Sequence, residues 1–345
     1  MACGGWAGAP TYPWGMARSH LTLAALATSA VAGLDLVGSS PFGSGPASDF
    51  DSAILTDRDG RHWIIRVPTN ARAESEQSAD LVALRALSAG VRARLPFAVS
   101  QFAGQAPVGN TRAVVYEFVY GTRLQLADLD ANLATAAGAA IGAIHALPTS
   151  FISDVGLPVL STTECLRSAM SVMDRASATG LVPAALIGRW ERAVDDASLW
   201  QFQPSVINGA LTAESLLTAN GQVTGVIGWH ELKVGDPARD LQWVLGARSD
   251  DLVEAAFSGY ERVRGVGDRT LRRRARFYAE LEVAKWLLHG TELRSTEIVD
   301  DAVEMLTGMV DDVRNDVLHP LGPPTMPTMA VDDVEALLAR TERAV

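Results

Sequence analysis

Val206-Ile207-Asn208-Gly209-Ala210-Leu211-Thr212-Ala213-Glu214-Ser215-Leu216-Leu217 is a strand-like run set inside a helix-rich region of the chain. Apolar residues close it at both ends around a short polar kernel, as expected of a loop anchored between buried strands. The island 205–217 is joined to a second run, 222–227, by Ala219-Asn220-Gly221. Asn-Gly favours a tight hairpin because both residues tolerate left-handed backbone. Ile227-Gly228-Trp229 follows, and then Gly235-Asp236-Pro237-Ala238-Arg239-Asp240-Leu241. There an acid precedes a proline, an N-cap followed by Pro at the first helical position.

Helical patterns lie on both sides of this hairpin, at 130–147, 160–178 and 183–197 before it and at 236–246, 250–264, 270–290 and 297–314 after it. The first third of the chain differs. Segments 51–55 and 62–67 read as strands flanking the turn Asp57-Arg58-Asp59-Gly60, and 97–102 and 113–119 read as two more. Between them, apolar residues at 81, 84 and 87 make 71–87 a helix. Upstream, the apolar run 21–33 falls short of the ~20 residues of a membrane span. Leu23, Leu26 and Ala27 share one helical face there, with Thr22 as the expected N-cap, so an amphipathic helix is preferred to the apolar core of a signal peptide.

These readings predict an α+β fold. A disordered extension (1–15, with Met16 as an alternative start) leads into a small β-rich lobe (16–118). A larger helical lobe carrying the hairpin (119–318) follows, then a Pro-rich linker and short helix (319–345).

Composition narrows the function. The 345 residues allow about two domains or lobes. At 48% hydrophobic and 20% charged, the chain can bury sizeable cores and is not a disordered one. A net charge of −11 argues against binding a nucleic-acid backbone, and the basic run 272–276 (RRRAR) is too short to reverse that. No membrane partner is expected. Two cysteines, Cys3 and Cys165, exclude a disulfide framework and form no metal-ligand spacing with the six histidines, which points to a reduced, cytoplasmic compartment. Only Lys233 and Lys285 are lysines, leaving few candidates for amine chemistry. Residues 295–345 hold eleven acidic side chains against three arginines, a balance that suits a cationic, amine-bearing ligand.

The hairpin stretch resembles the aminoglycoside/macrolide phosphotransferase family, whose signature is roughly V-H-G-D-L-x-x-x-N-L-L, then V-I-D-W, then G-D-P-x-x-D-L. The resemblance runs over about 16–315. It includes Asp59-Gly60-Arg61-His62-Trp63-Ile64-Ile65-Arg66-Val67-Pro68, similar to the first strands of macrolide kinases, and 116–121 (YEFVYG), similar to the hinge between lobes. Ile144-His145-Ala146-Leu147 resembles the helix after the hinge. The family implies a bilobal, protein-kinase-like fold, with ATP or GTP as cofactor and a small-molecule substrate.

Phosphoryl transfer is mostly positioning and charge neutralisation, with a carboxylate orienting the attacking hydroxyl and Mg²⁺ clamping the phosphates. The family's base falls on Ala210 and the histidine before it on Asn208. Its metal ligands fall on Ser215 and Gly228. All four depart from the pattern while the apolar frame persists. Loss of the base alone costs about 10²–10⁴-fold, and the resemblance leaves no intact Mg²⁺ site. Glu214 and Glu231 are the nearest substitute ligands, although solvated loop positions explain both; His145 reads as packed.

On the nucleotide side, Arg66 stands where kinases place a phosphate-contacting lysine, with Asp80 as its helix partner and Glu76 as the alternative. Backbone near Glu117 and Val119 would meet the base, and Phe42-Gly43-Ser44-Gly45 is a weak candidate for a phosphate-covering turn. The expectation is a pseudokinase that binds a small molecule, a nucleotide or a protein partner. The alternative is an active small-molecule phosphotransferase with rerouted metal ligands.

Overall fold

The computed structural model describes residues 18–43, 48–265 and 267–314. The expected extension 1–15, the turn positions Ser44 and Gly45, and the tail 319–345 lie outside the described residues. The chain divides into two compact units. One takes residues through Val159 together with 205–234 and 246–265, and the other takes 160–204, 235–245 and the residues from 266 onward.

In the first unit, five antiparallel strands form a sheet of order β1-β2-β3-β6-β5. They are β1 (Leu36–Phe42), β2 (Phe50–Asp57), β3 (His62–Pro68), β5 (Phe102–Val108) and β6 (Thr111–Glu117), with the two-residue β4 (Ala98–Val99) standing apart. Sequence reading finds β2, β3 and β6 but misses β1 and β5. Ser39-Ser40-Pro41 weakens one pattern and Gly104 with Pro107 the other, since Gly and Pro are depleted in strands. The expected strand 97–102 is instead β4 followed by the start of β5. Helix His20–Ala30 lays Leu23 and Ala27 on Ala53, Leu55, Ile65, Val67, Ala113 and Val115 of this sheet. Its N-cap is Ser19, whose Oγ accepts the Thr22 N–H, so the cap sits three residues earlier than Thr22. On the other flank, helix Ala71–Ala86 starts at Asn70, whose side chain accepts the Ala73 N–H.

The hairpin belongs to this same unit. β7 (Thr122–Arg123), β9 (Leu216–Ala219), β10 (Gln222–Val226) and β4 make a second sheet of order β4-β10-β9-β7. Its turn has Asn220 at φ 52° and Gly221 at φ 72°, the left-handed pair that Asn-Gly foretold. β8 (Ser205–Ile207) pairs with β11 (Lys233–Gly235). Beneath them helix Ala131–His145 crosses helix Asp250–Arg264 almost backbone to backbone. A Cβ added at Gly138 would fall 1.8 Å from the Ala256 carbonyl oxygen, and one at Gly259 would fall 2.2 Å from that of Thr135. His145 is buried at the end of this crossing, its Nδ1 3.0 Å from the Tyr260 hydroxyl, so it is a packing residue.

The second unit is helical: Thr162–Ala178, Ala184–Asp195, Leu271–Leu293 and Thr296–Arg314, with the short Ala238–Leu241. The expected helix 236–246 is this one turn followed by the 3₁₀ segment Gln242–Gly246. Asp236 accepts the Ala238 N–H as expected of a cap, yet its other oxygen takes 2.8 Å from Arg274 Nε, and both side chains are fully buried. Asp268 binds the far edge of the same guanidinium, while the Leu199 carbonyl and Thr270 hydroxyl accept from Nη1. Thus the basic run 272–276 is no uniform surface patch, because its central arginine is a core residue. A second buried set joins Arg189 and Trp190 to Glu280 at 3.1 and 2.9 Å. Burial pushes the Glu280 carboxyl up despite both partners. Trp286 departs from the apolar core expected over 276–288: it is 38% exposed and donates to Asp301. Among the described residues no helix is long and apolar enough to cross a membrane.

Candidate functional site

The first unit holds a cavity of about 220 Å³. Ile64, Val119, Leu217 and Ile227 give it flat apolar walls, and Arg66, Asp80, Tyr116 and Arg123 supply polar groups. Arg66, Asp80, Glu117 and Val119, the four nucleotide-side residues singled out from sequence, all line it, and so does Gly228. At the hinge the Glu117 N–H donates to the Gln101 carbonyl and that of Phe118 to the His62 carbonyl. The N–H of buried Val119 has no bond to the described backbone and remains free to meet a ligand.

Arg66 and Asp80 share the cavity without forming a direct ion pair. β3 pairs Arg66 with Ser52 of β2, which sets Phe50 diagonally alongside, and the guanidinium lies 3.7 Å over the Phe50 ring. Asp80 instead accepts the Trp229 backbone N–H at 2.7 Å. Burial raises the Asp80 carboxyl above its ordinary range, with that bond and the charges of Arg66 and His230 acting the other way. Burial also lowers Arg66. Tyr116, between them, is pushed far up, first by burial and then by the Asp80 charge. Glu76, the alternative partner, binds Arg72 one turn earlier on its own helix.

The loop after β8 is built from hydrogen bonds. Asn208 is fully buried; its Nδ2 donates to the Gly228 carbonyl at 2.8 Å and its Oδ1 accepts the Ala210 N–H at 3.2 Å. Gly209 has φ 85°, and a Cβ there would meet the Glu231 carbonyl at 2.6 Å and Lys233 Cε at 3.0 Å. Only glycine fits both that backbone and that approach. Ser215 Oγ accepts the Thr212 N–H and lies 3.2 Å from the Thr212 hydroxyl, so it closes the turn. Gly228 sits at φ 74° with open space where a Cβ would go.

A divalent cation does not fit these residues. Ala210 and Gly228 offer no side-chain ligand, the Gly228 carbonyl is taken by Asn208, and Ser215 is engaged by the turn. The two substitute carboxylates are held by cations: Glu231 by Lys233, and Glu214 by Arg123 at 4.0 Å. Among the described residues no group of three or more His, Cys, Asp or Glu side chains converges on a point. The acidic surface expected over 295–345 is represented by Glu297, Asp300, Asp301 and Glu304, all exposed on one helix.

Sequence reading missed Tyr116 and Arg123 as cavity residues, Phe50 as the ring beneath the Arg66 guanidinium, and the Asp80–Trp229 bond. The 52–66 strand register could have supplied Phe50. Nothing local announces the bond, which joins residues 149 apart in sequence.

A model of the phosphotransferase enzyme family matches residues 40–278, more than half of the chain and including both the cavity and the hairpin loop. The chain belongs to that family. Among solved structures, this phosphotransferase-family chain is similar to macrolide 2'-phosphotransferase MphH from Brachybacterium faecium, with TM-score 0.69 and 21% identity over 84% of this chain and 98% of that one. It is also similar to a type I macrolide 2'-phosphotransferase, with TM-score 0.67 and 24% identity over 83% and 95%. A GDP complex of aminoglycoside 2'-phosphotransferase-IIIa gives TM-score 0.68 and 17% identity over 87% and 100%. The fold is therefore the α+β, kinase-like fold of these phosphotransferases. A curated relative, protein YcbJ of Bacillus subtilis (strain 168), is 25% identical over 209 residues, which are 56% of this chain and 65% of that one. The chain thus spans just under two thirds of that relative's length.

Proposed function

We propose that this phosphotransferase-family chain is a pseudokinase: it binds a nucleotide in the cavity below the hinge and does not transfer phosphate. The observation that carries the reading is the Asn208 bridge to Gly228 and Ala210. The base position Ala210 and the metal position Gly228 are tied together through the Asn208 amide, and neither side chain accepts a proton or binds Mg²⁺. Nucleotide binding is supported by the free Val119 N–H between apolar walls, by the unpaired Arg66 guanidinium, and by relatives solved with GDP and ADP. A small-molecule ligand in a cytoplasmic setting completes the proposal. Rerouted catalysis through Glu214 or Glu231 is disfavoured, because each carboxylate already faces a cation.

The test is titration of the full chain with ADP and GDP in EDTA, then in Mg²⁺, beside a phosphotransfer assay on macrolides and aminoglycosides. The proposal requires saturable binding in EDTA and no transfer. Turnover of about 1 s⁻¹ or more, within the range of working kinases, would overturn it.

A further inference from the structure

We propose that the cavity selects a nucleoside monophosphate over the corresponding triphosphate, with the single phosphate on the Arg66 guanidinium. This inference rests on the nucleotide-cleft reading above and narrows its ligand.

The argument is one of charge and geometry. Arg66 lies flat on Phe50 and makes no hydrogen bond or ion pair with the described residues, so the edge of its fork stays available. A planar guanidinium takes one phosphate or carboxylate with two parallel bonds. The other cation of the lining, Arg123, is half exposed and shares its charge with Glu214. A terminal phosphate carries about −1.5 to −2 at neutral pH, which one half-buried and one rim arginine can balance. Each further phosphate adds negative charge, and family members meet it with metal ions held by carboxylate and amide ligands. Here those ligands are Gly228 and Ser215, while Asp80 and Glu231 add negative charge nearby. Unpaired charge in a partly enclosed site is strongly unfavourable. The balance therefore favours the ligand with one phosphate, in a site that needs no metal to accept it.

The experiment compares adenosine, AMP and ATP, and guanosine, GMP and GTP, by calorimetry on the full chain in EDTA. The expected result is a monophosphate that binds at least as tightly as its triphosphate and at least 10-fold tighter than its nucleoside. Arg66→Gln should remove that 10-fold advantage while leaving nucleoside affinity within 2-fold. Arg66→Lys, which keeps charge but not the fork, should retain part of it and guards against a folding defect in the glutamine variant. A triphosphate 10-fold tighter than its monophosphate in EDTA, or a monophosphate no tighter than its nucleoside, overturns the inference and leaves the nucleotide cleft standing. Failure of every nucleoside and nucleotide to bind overturns both.

Discussion

Asn208→Ala is the sharpest perturbation of the rebuilt loop. The substitution deletes a fully buried amide that donates at 2.8 Å to the Gly228 carbonyl and accepts at 3.2 Å from the Ala210 N–H. A net contribution of about 0.5–1.5 kcal/mol for each bond, with added desolvation where a partner is left buried and unpaired, gives a loss of about 2–4 kcal/mol. For a unit of roughly 200 residues that corresponds to a fall in Tm of about 5–15 °C. Hydrogen exchange locates the effect. The Ala210 amide should lose protection before strands β2 and β3 do, because its only partner is gone while their ladder is intact. A Tm within 1 °C of the parent, or Ala210 exchange that is unchanged, would refute the reasoning. Asn208→His, the family's residue, should be nearly as destabilising, since imidazole cannot serve both backbone groups at that spacing.

Other parts of the molecule make equally definite demands. Gly138→Ala places a methyl 1.8 Å from the Ala256 carbonyl, so the two helices must part; a loss of about 1–3 kcal/mol is expected in urea melts, as for other overpacked cores. Gly228→Asp meets open space and should fold, with a penalty of about 1–2 kcal/mol for left-handed backbone. Calorimetry should then find ATP affinity newly responsive to Mg²⁺, unlike in the parent. Asp268 supplies a pH test. Burial opposes its ionisation, but Arg274 outweighs burial and holds the carboxyl below its ordinary 3.8. Its contribution is therefore full above about pH 4 and fades as pH falls through the lowered value. Asp268→Asn should be less stable than the parent at pH 7, and the two urea midpoints should converge as pH falls below the ordinary carboxylate range.

Much of the fold is written in local pattern. Among the described residues eight long helices were legible because their apolar periodicity and caps lie within a few turns of one another, as at Ser161–Glu164, whereas 236–246 is only one turn and a 3₁₀ segment. The hairpin was legible because Asn220-Gly221 encodes its turn outright. Strands β1 and β5 were hidden by Pro and Gly, which their pairing with β2 and β6 overrides. At the site, the losses at Ala210 and Gly228 could be read by setting the loop beside the signature of the family it resembles. What replaced them could not. The Asn208 bridge spans 20 residues, and Asp80 reaches Trp229 across 149, distances over which residue type carries no positional information. Arg274 illustrates the converse error: among neighbouring arginines it looks like surface charge, and only the folded positions of Asp236 and Asp268 make it a core residue.

The Asn208 bridge also bears on how such a loop can change over generations. On the pseudokinase reading proposed above, an acid returned to position 210, or to 228, leaves the site incomplete while the other is missing, and histidine reinstated at 208 removes the amide that now bonds both. On that reading the single changes at 208 and 228 each lower stability without completing the site, which leaves selection nothing to reward. A cleft whose stability rests on the residues standing in the family's catalytic positions would, on that reading, be refined for what it binds.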